Sequence, residues 1–363
     1  MFKGCCMRKN ETEKTLEELK RTIDQEIERL IPKNMDRFQL EKIFGKPRYE
    51  YDTGSINKAI NEPIWDFLSR GGKRWRPAMF LLILEALGGD AKRFREFAIV
   101  PELAHEGSII TDDVEDDGEM RRGKPCLNRI FGVDVAINAG NFLYFLPLSV
   151  FVKSRGKLDD KTLLRVYEIY AQEMTNIHAG QAMDIWWHKG SSSPTEMQYM
   201  QMCAYKTGTL ARMSARLAVA LSGRSKEQED TMGRFAESIG VAFQIQDDIL
   251  DIVSSGKDRK RFGKATGNDI KEGKRTLMVI HTLKSASEKD RTRLIKILNS
   301  HTSDPELVEE VISLMERYGS VEYAKRKAKQ LVLDAWKDAE PLLKGSAKQK
   351  LKDFAYFLIE RDF

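Results

Sequence analysis

Apolar residues recur along this chain at the three- and four-residue spacing of a helix face. Leu16, Leu19, Ile23, Ile27 and Leu30 form one such stripe, and the stretches 162–187 and 308–336 carry others. Capping signals punctuate them. In "SPTE" (193–196) Ser193 is placed as the N-cap, Pro194 at the first helical position and Glu196 to close a capping box. "DPE" (304–306) reads the same way. Pro147 falls inside the apolar run "FLYFLPLSVFV" (142–152) and predicts a kink there. No sustained apolar–polar alternation bounded by hairpin turns, no repeat period and no clean linker is evident. The pattern predicts an all-α protein, a single large helical bundle over 36–363 preceded by a charged, loosely attached helical segment over 1–35.

Composition narrows the class. The chain has 363 residues, 41% hydrophobic and 32% charged, enough for a substantial core. Sixty Lys+Arg against 55 Asp+Glu leave +5, too little over this length to point to nucleic acid. Cys5, Cys6, Cys126 and Cys203 have neither CxxC spacing nor a disulfide framework, which fits a reducing compartment. No apolar run is expected to reach the length of a membrane span. The N-terminal "MFKGCCMRKNETEK" lacks the apolar core of a signal peptide. A soluble, cytoplasmic protein is the expectation.

Two short acidic runs change the picture. On a helix, positions i, i+1 and i+4 fall near one another. Asp112, Asp113 and Asp116 have that spacing within "HEGSIITDDVEDDGEMRRGK" (105–124), and Asp247, Asp248 and Asp251 repeat it within "FQIQDDILDI" (243–252). A single run of this kind is more often a solvated face or a cap. The second copy, however, is framed by Val241, Phe243, Ile245, Ile249, Leu250 and Ile252, where unpaired carboxylates would be costly. A bound cation is the natural partner. Oxygen ligands without a His/Cys set suit Mg²⁺, Mn²⁺ or Ca²⁺ rather than zinc, and no twelve-residue calcium loop is present. Mg²⁺ characteristically takes one or two carboxylates, waters and phosphate oxygens, so two opposed clusters would hold several Mg²⁺ around a diphosphate.

Protein cations accompany both runs. "GGKRWRP" offers Lys73, Arg74 and Arg76, with Gly71 and Gly72 permitting close backbone approach. Arg121 and Arg122 follow the first cluster, Lys206 and Thr207 sit in "YKTGT", and Lys264 and Lys274 follow the second. Taken singly these read as surface charges, and His105 as a structural histidine. Together they read as a diphosphate site.

The series "GGKRWRP", "ELAHEGSIITDDVEDDGEMRRGKP", "HAGQAMDI", "YKTGTL", "FQIQDDILD" and "GKATGNDIKEGKRTL" resembles the trans-isoprenyl diphosphate synthases, in order, from about residue 65 to 285. The likeness is greatest to those that make geranylgeranyl diphosphate. The resemblance implies an isoprenoid-synthase bundle around an apolar cavity, three Mg²⁺ per site, a homodimer, and condensation of isopentenyl diphosphate with an allylic diphosphate. It implies that Asp112, Asp113, Asp116, Asp247, Asp248 and Asp251 are the metal ligands. Arg121, Lys206, Gln244 and Lys264 match contacts to the allylic diphosphate, with Lys274 beside them. Lys73, Arg76, His105 and Arg122 match the isopentenyl diphosphate pocket, and Thr207 and Gln181 the carbocation site. Thr111, Asn128 and Asn141 depart from residues common in the family, without removing a metal ligand.

Product length is read from the first motif downward. Gly107 and Ser108, with Ala104 a turn further, are small and leave a farnesyl tail unblocked. Tyr144, Phe145 and His178 resemble blocking residues that would floor the cavity; Tyr144 and Phe145 read equally well as core aromatics. A C20 product is the expectation, with farnesyl or C25 and longer as alternatives. A terpene cyclase is disfavoured by the intact second motif and by Lys73 and Arg76, and a non-catalytic regulatory subunit by retention of all six aspartates. A nucleic-acid scaffold would not carry acidic clusters that repel phosphate.

Overall fold

The computed structural model describes residues 2–190, 194–253 and 267–359, with side chains from Glu11 onward. Its elements are helical, as the periodicity predicts, apart from one two-residue strand pair and an isolated bridge among the described residues. The chain divides into two compact units. One comprises Met1–Glu168, Leu217–Ser225 and Lys344–Ala347, and the other Ile169–Arg216, Lys226–Leu343 and Lys348–Phe363.

In the first unit, α1 (Phe2–Leu30) turns its stripe inward progressively: Leu16 and Leu19 are half-buried, whereas Ile23, Ile27 and Leu30 are buried. Asp24 and Glu26 on the same helix pair with Arg74 at 3.0 Å and Arg95 at 2.7 Å. After α2 (Glu62–Ser69) comes α3 (Trp75–Ala86), apolar nearly all round and buried everywhere but at Glu85. That is the pattern of a core helix. The next long helix is α4 (Ile99–Glu115), which crosses α5 (Val133–Phe145) at very close range. A Cβ on Gly107 would lie 2.8 Å from the Gly140 carbonyl, and one on Gly140 would lie 2.8 Å from Thr111 Oγ1. Glycine on both helices is what lets the backbones approach.

Contrary to the expectation for the apolar runs, the stretch Val133–Lys153 is by length and composition apolar enough to cross a membrane. Here the chain is broken at Leu146–Pro147 into α5 and a short helix Leu148–Lys153, because Pro147 has no N–H to continue the ladder.

The helix α6 (Asp160–His188) leads into the second unit, which contains α7 (Glu196–Cys203), α8 (Lys226–Val253) and α9 (Ser320–Ala339). The cap predicted at Ser193 is displaced. Thr195 caps α7, accepting from the Gln198 N–H while Gln198 accepts from the Thr195 N–H, so Glu196 opens the helix instead of closing the box. Ser193 itself lies outside the described residues. Asp304 does cap Pro305–Arg317 as expected, and Gly319, at φ +65°, separates that helix from α9.

Candidate active site

The first acidic cluster sits at a helix end. Asp112 and Asp113 lie in the last turn of α4, and Asp116 is its C-cap, so the third carboxylate sits on the cap and not within the helix. Asp117 turns left-handed at φ +50° and the Gly118 N–H bonds back to the Asp113 carbonyl at 2.8 Å. This closes the helix as a Schellman-type turn does. The chain then forms the hairpin β1 (Met120–Arg121) and β2 (Lys124–Pro125), whose two-residue turn is Arg122–Gly123 at φ +54° and +76°. Positive φ at both centres is the mark of a type I′ turn.

That hairpin presents adjacent arginines to different partners. Arg121 donates through Nε at 2.8 Å and Nη2 at 2.5 Å to Asp113 Oδ1, with Asp112 at 3.6 Å. Burial works against the charge on Arg121, but the Asp113 carboxylate outweighs it and raises the guanidinium above its ordinary value. Asp113 Oδ2 is buried with no hydrogen-bond partner among the described residues. Such an oxygen is poised to accept a cation. Behind it the Cys126 thiol is pushed up to about 12, by burial and then by Asp113, and is inert as a nucleophile.

Arg122 turns instead towards α4 and the glycine loop. It donates to the Gly71 carbonyl at 2.5 Å and pairs with both oxygens of Glu106 at 3.1 Å, over the Phe67 ring at 4.9 Å. Lys73 in the same loop is exposed, and Arg76 is buried against the Trp75 ring at 4.4 Å. His105 is held well below its ordinary value, first by burial and then by Arg76, Arg122, Arg74 and Arg121. A neutral imidazole among cations can offer one hydrogen bond without adding charge.

Arg74 departs from the sequence expectation. Its side chain is buried and committed to Glu102 at 2.7 Å, Asp24 at 3.0 Å and Glu106. It is not a cation offered to diphosphate. The residue also stands left-handed, at φ +48°, as the cap of α3.

The second cluster is on α8. Asp248 is buried, bonded by the Tyr199 hydroxyl at 2.8 Å and by Gln244 Nε2 at 2.8 Å. Burial, reinforced by Asp269, drives its carboxyl well above the ordinary range against those bonds. Asp251 accepts from the Asn268 and Asp269 N–H groups at 3.2 and 3.0 Å and so caps the helical turn Asn268–Lys271. Gln244 also accepts from Thr207 Oγ1 at 2.7 Å, which makes a hydrogen-bonded chain Thr207–Gln244–Asp248–Tyr199.

Thr207 and Lys206 are carried on a π-helical turn, Ala204–Gly208, a feature often found at functional sites. Lys206 Nζ pairs with Asp184 of α6 at 2.6 Å. Two glycines fit the turn closely. A Cβ on Gly180 of α6 would collide with the Lys206 backbone, and one on Gly240 of α8 would lie 2.6 Å from Gly208 Cα. Backbone cannot yield as a side-chain tip can. Gly240→Ala is therefore expected to cost about 1–3 kcal/mol, seen as a thermal midpoint lower by several degrees. An unchanged midpoint would refute the close fit.

The remaining expected residues divide. Gln181 is half-buried on α6, next to Gly180. Lys274 is bound to Glu272 at 2.6 Å and Asp269 at 3.3 Å, and Lys264 lies outside the described residues. Of the floor residues, Tyr144 packs against Gly107 and its hydroxyl reaches Thr111 Oγ1 at 3.3 Å. Phe145 is 69% exposed, since it follows Tyr144 by about 100° around α5 and leaves the α4 contact. His178 is exposed on α6, its Nδ1 2.8 Å from the Met174 carbonyl. Gly107 is buried against α5, so its smallness serves helix packing and not an open cavity wall; Ser108 is half-buried and bonds the His105 carbonyl at 2.8 Å.

Sequence reasoning passed over Glu102, Glu106, Asp184 and Tyr199. A signal existed for the first two: Glu102 and Glu106 are like charges at i, i+4 in the buried first half of α4, a pairing that repels unless a cation intervenes. Among the described residues no three metal-ligating side chains stand preassembled. Mg²⁺ does not need such a cage, because phosphate oxygens and waters complete its octahedron.

The polyprenyl synthetase family model matches residues 57–315. The chain is 37% identical over 295 residues to the short chain isoprenyl diphosphate synthase of Methanothermobacter thermautotrophicus, covering 81% of this chain and 88% of that protein. It is 33% identical over 296 residues to the geranylgeranyl pyrophosphate synthase of Geoglobus acetivorans, covering 82% and 89%. Among solved structures, the geranylgeranyl pyrophosphate synthetase from Pyrococcus horikoshii superposes with a TM-score of 0.81 at 33% identity, over 96% of this chain and 99% of that one. A match of that extent, in a helical fold with both acidic clusters and their cations in sequence order, makes this chain a member of the polyprenyl synthetase family.

Proposed function

We propose that the chain is a trans-prenyltransferase that joins isopentenyl diphosphate head-to-tail to an allylic diphosphate. The observation that carries this reading is the adjacent pair Arg121 and Arg122, one held on the first aspartate cluster and the other on Glu106 and the Gly71 carbonyl. One diphosphate needs one such site, and a condensation needs two.

In this reading Asp112, Asp113 and Asp116 and Asp247, Asp248 and Asp251 hold Mg²⁺. An all-carboxylate donor set with a buried, unpartnered Asp113 oxygen fits that ion. When bound, Mg²⁺ would neutralise charge on the allylic diphosphate as it leaves. Arg121, Lys206 and Gln244, with Lys264 and Lys274, hold that diphosphate, and their donors strengthen as the C–O bond breaks. Lys73, Arg76, His105 and Arg122 hold isopentenyl diphosphate so that its C3–C4 double bond attacks C1 of the allylic cation. Thr207 and Gln181 line the cation, and a proton from C2 passes to the departing diphosphate. Apolar walls exclude water, which would otherwise give an alcohol. The enzyme acts as a cytoplasmic homodimer.

The product is C20, with a longer chain as the alternative. Tyr144, seated across α4 below the first motif, is the floor. Tyr144→Ala is expected to lengthen the product by one or more isoprene units, whereas Phe145→Ala leaves it unchanged. Chromatography of the hydrolysed alcohols reads both, and an unaltered length in Tyr144→Ala removes the floor assignment. The activity is tested by incubating the protein with isopentenyl diphosphate, Mg²⁺ and each of dimethylallyl, geranyl and farnesyl diphosphate. Absence of elongation with every primer would overturn the reading.

A further inference from the structure

Glu106 stands where two differently used arginines meet. It is wholly buried in the middle of α4, and Arg74 and Arg122 both donate to its Oε1. Arg74 belongs to the fold: α1 through Asp24, and α4 through Glu102 and Glu106, hold it below the surface. Arg122 faces the pocket and keeps a partly exposed side chain. Its attachments come from Phe67 of α2, the Gly71 carbonyl and the two Glu106 oxygens. Of these, the carboxylate is the charged one: its Oε1 accepts from Nη2, and its Oε2 faces Nη1 as an ion pair. Among the described residues the Nε of Arg122 makes no hydrogen bond.

We infer that Glu106 is a positioning residue for the homoallylic substrate, aiming Arg122 at the diphosphate of isopentenyl diphosphate. The inference rests on the proposed assignment of Arg122 to that substrate. A hydrophobic residue at 106 would leave Arg122 to the turn alone, and repulsion from Arg74 and Arg76 would push it outward. With the carboxylate present, the pocket is assembled before substrate arrives.

The same group makes the pocket sensitive to pH. Burial raises the Glu106 carboxyl to about 7; Arg122 and Arg74 oppose that rise and Glu102 adds to it. Facing it are Arg74 from the loop before α3, Arg122 from the hairpin, and Glu102 and His105 on α4, with Asp24 of α1 behind Arg74. The sign follows from the raised value: Glu106 is ionised above about 7 and loses its hold on Arg122 as pH falls through it.

The test is steady-state kinetics on the full chain with Mg²⁺, varying each substrate separately between pH 6 and 8.5. At pH 8, Glu106→Gln is expected to raise KM for isopentenyl diphosphate about tenfold, the order of one charge-assisted hydrogen bond. The allylic KM and kcat should stay within about twofold, since this pair faces only one substrate. As pH falls through 7, the wild-type KM should climb towards that of the variant, while the variant shows only the titration of the substrate itself. Glu106→Asp replaces it if the amide does not fold. A rise in both KM values together, or parallel pH profiles, would overturn the inference. Arg122→Ala separates the two claims: if it leaves the isopentenyl KM unchanged, the assignment of that pocket fails, whereas a raised KM there with none in Glu106→Gln rejects Glu106 alone.

Discussion

Asp112→Asn should lower kcat by about 10²- to 10³-fold, the loss that follows removal of one preorganised stabiliser of developing charge. The exchange keeps the size of the side chain and removes its charge. Asp112 is partly exposed, with Arg121 at 3.6 Å, so its exchange should cost folding less than that of the buried Asp113. Asp113→Asn should show a similar loss of turnover together with lower stability, because Arg121 would lose the buried negative charge it pairs with at 2.5 Å. The contrast between neighbours is the informative part. Rates measured with saturating Mg²⁺ and both substrates, beside thermal unfolding of each variant, check it. Equal stability losses would mean that the cluster is held for the fold, and turnover within tenfold of wild type would remove Asp112 from the metal site.

Arg74→Met should be the most destabilising single change in the first unit. It leaves the buried Glu102 without its cation and Glu106 with Arg122 alone, alongside Asp24. Breaking a buried pair from one side typically costs about 3–5 kcal/mol, because the remaining charge is uncompensated. For a chain of this size that is a fall in thermal midpoint on the order of 10 °C. The three carboxylates also account for the left-handed backbone at Arg74, since their attraction offsets the steric cost of that conformation. A double change, Arg74→Met with Glu106→Gln, should recover part of the loss. If the single variant melts like wild type, the network contributes nothing net and the ion pairs are cancelled by desolvation.

What could be read from the residues was local. Helical periodicity, the Pro147 break and the Asp304 cap depend on neighbours within a turn or two, and the structure has them. The aspartate clusters were visible for the same reason, as paired spacings on apolar segments. The "GGKRWRP" loop was not fully legible, because Arg74 and Arg76 are two positions apart and chemically identical. Only the distant Asp24, Glu102 and Glu106 determine that the first is spent on the fold. Tyr199 was invisible for a similar reason: its partner Asp248 is 49 positions away. Gly107 looked like empty space in the sequence and is instead filled by α5.

The hairpin after the first motif sets its own rule for change. Because its turn is two residues long, Arg121 ends a strand and Arg122 begins the reversal, which sends their side chains to Asp113 and to Glu106. Exchanging Met120 or Lys124 for another residue would alter what the loop carries but not where it points. Inserting or deleting a single residue would shift the register and hand each arginine to the other's neighbourhood. In descendants of this chain, Met120 and Lys124 should thus vary far more readily than the length of the segment between Glu119 and Pro125.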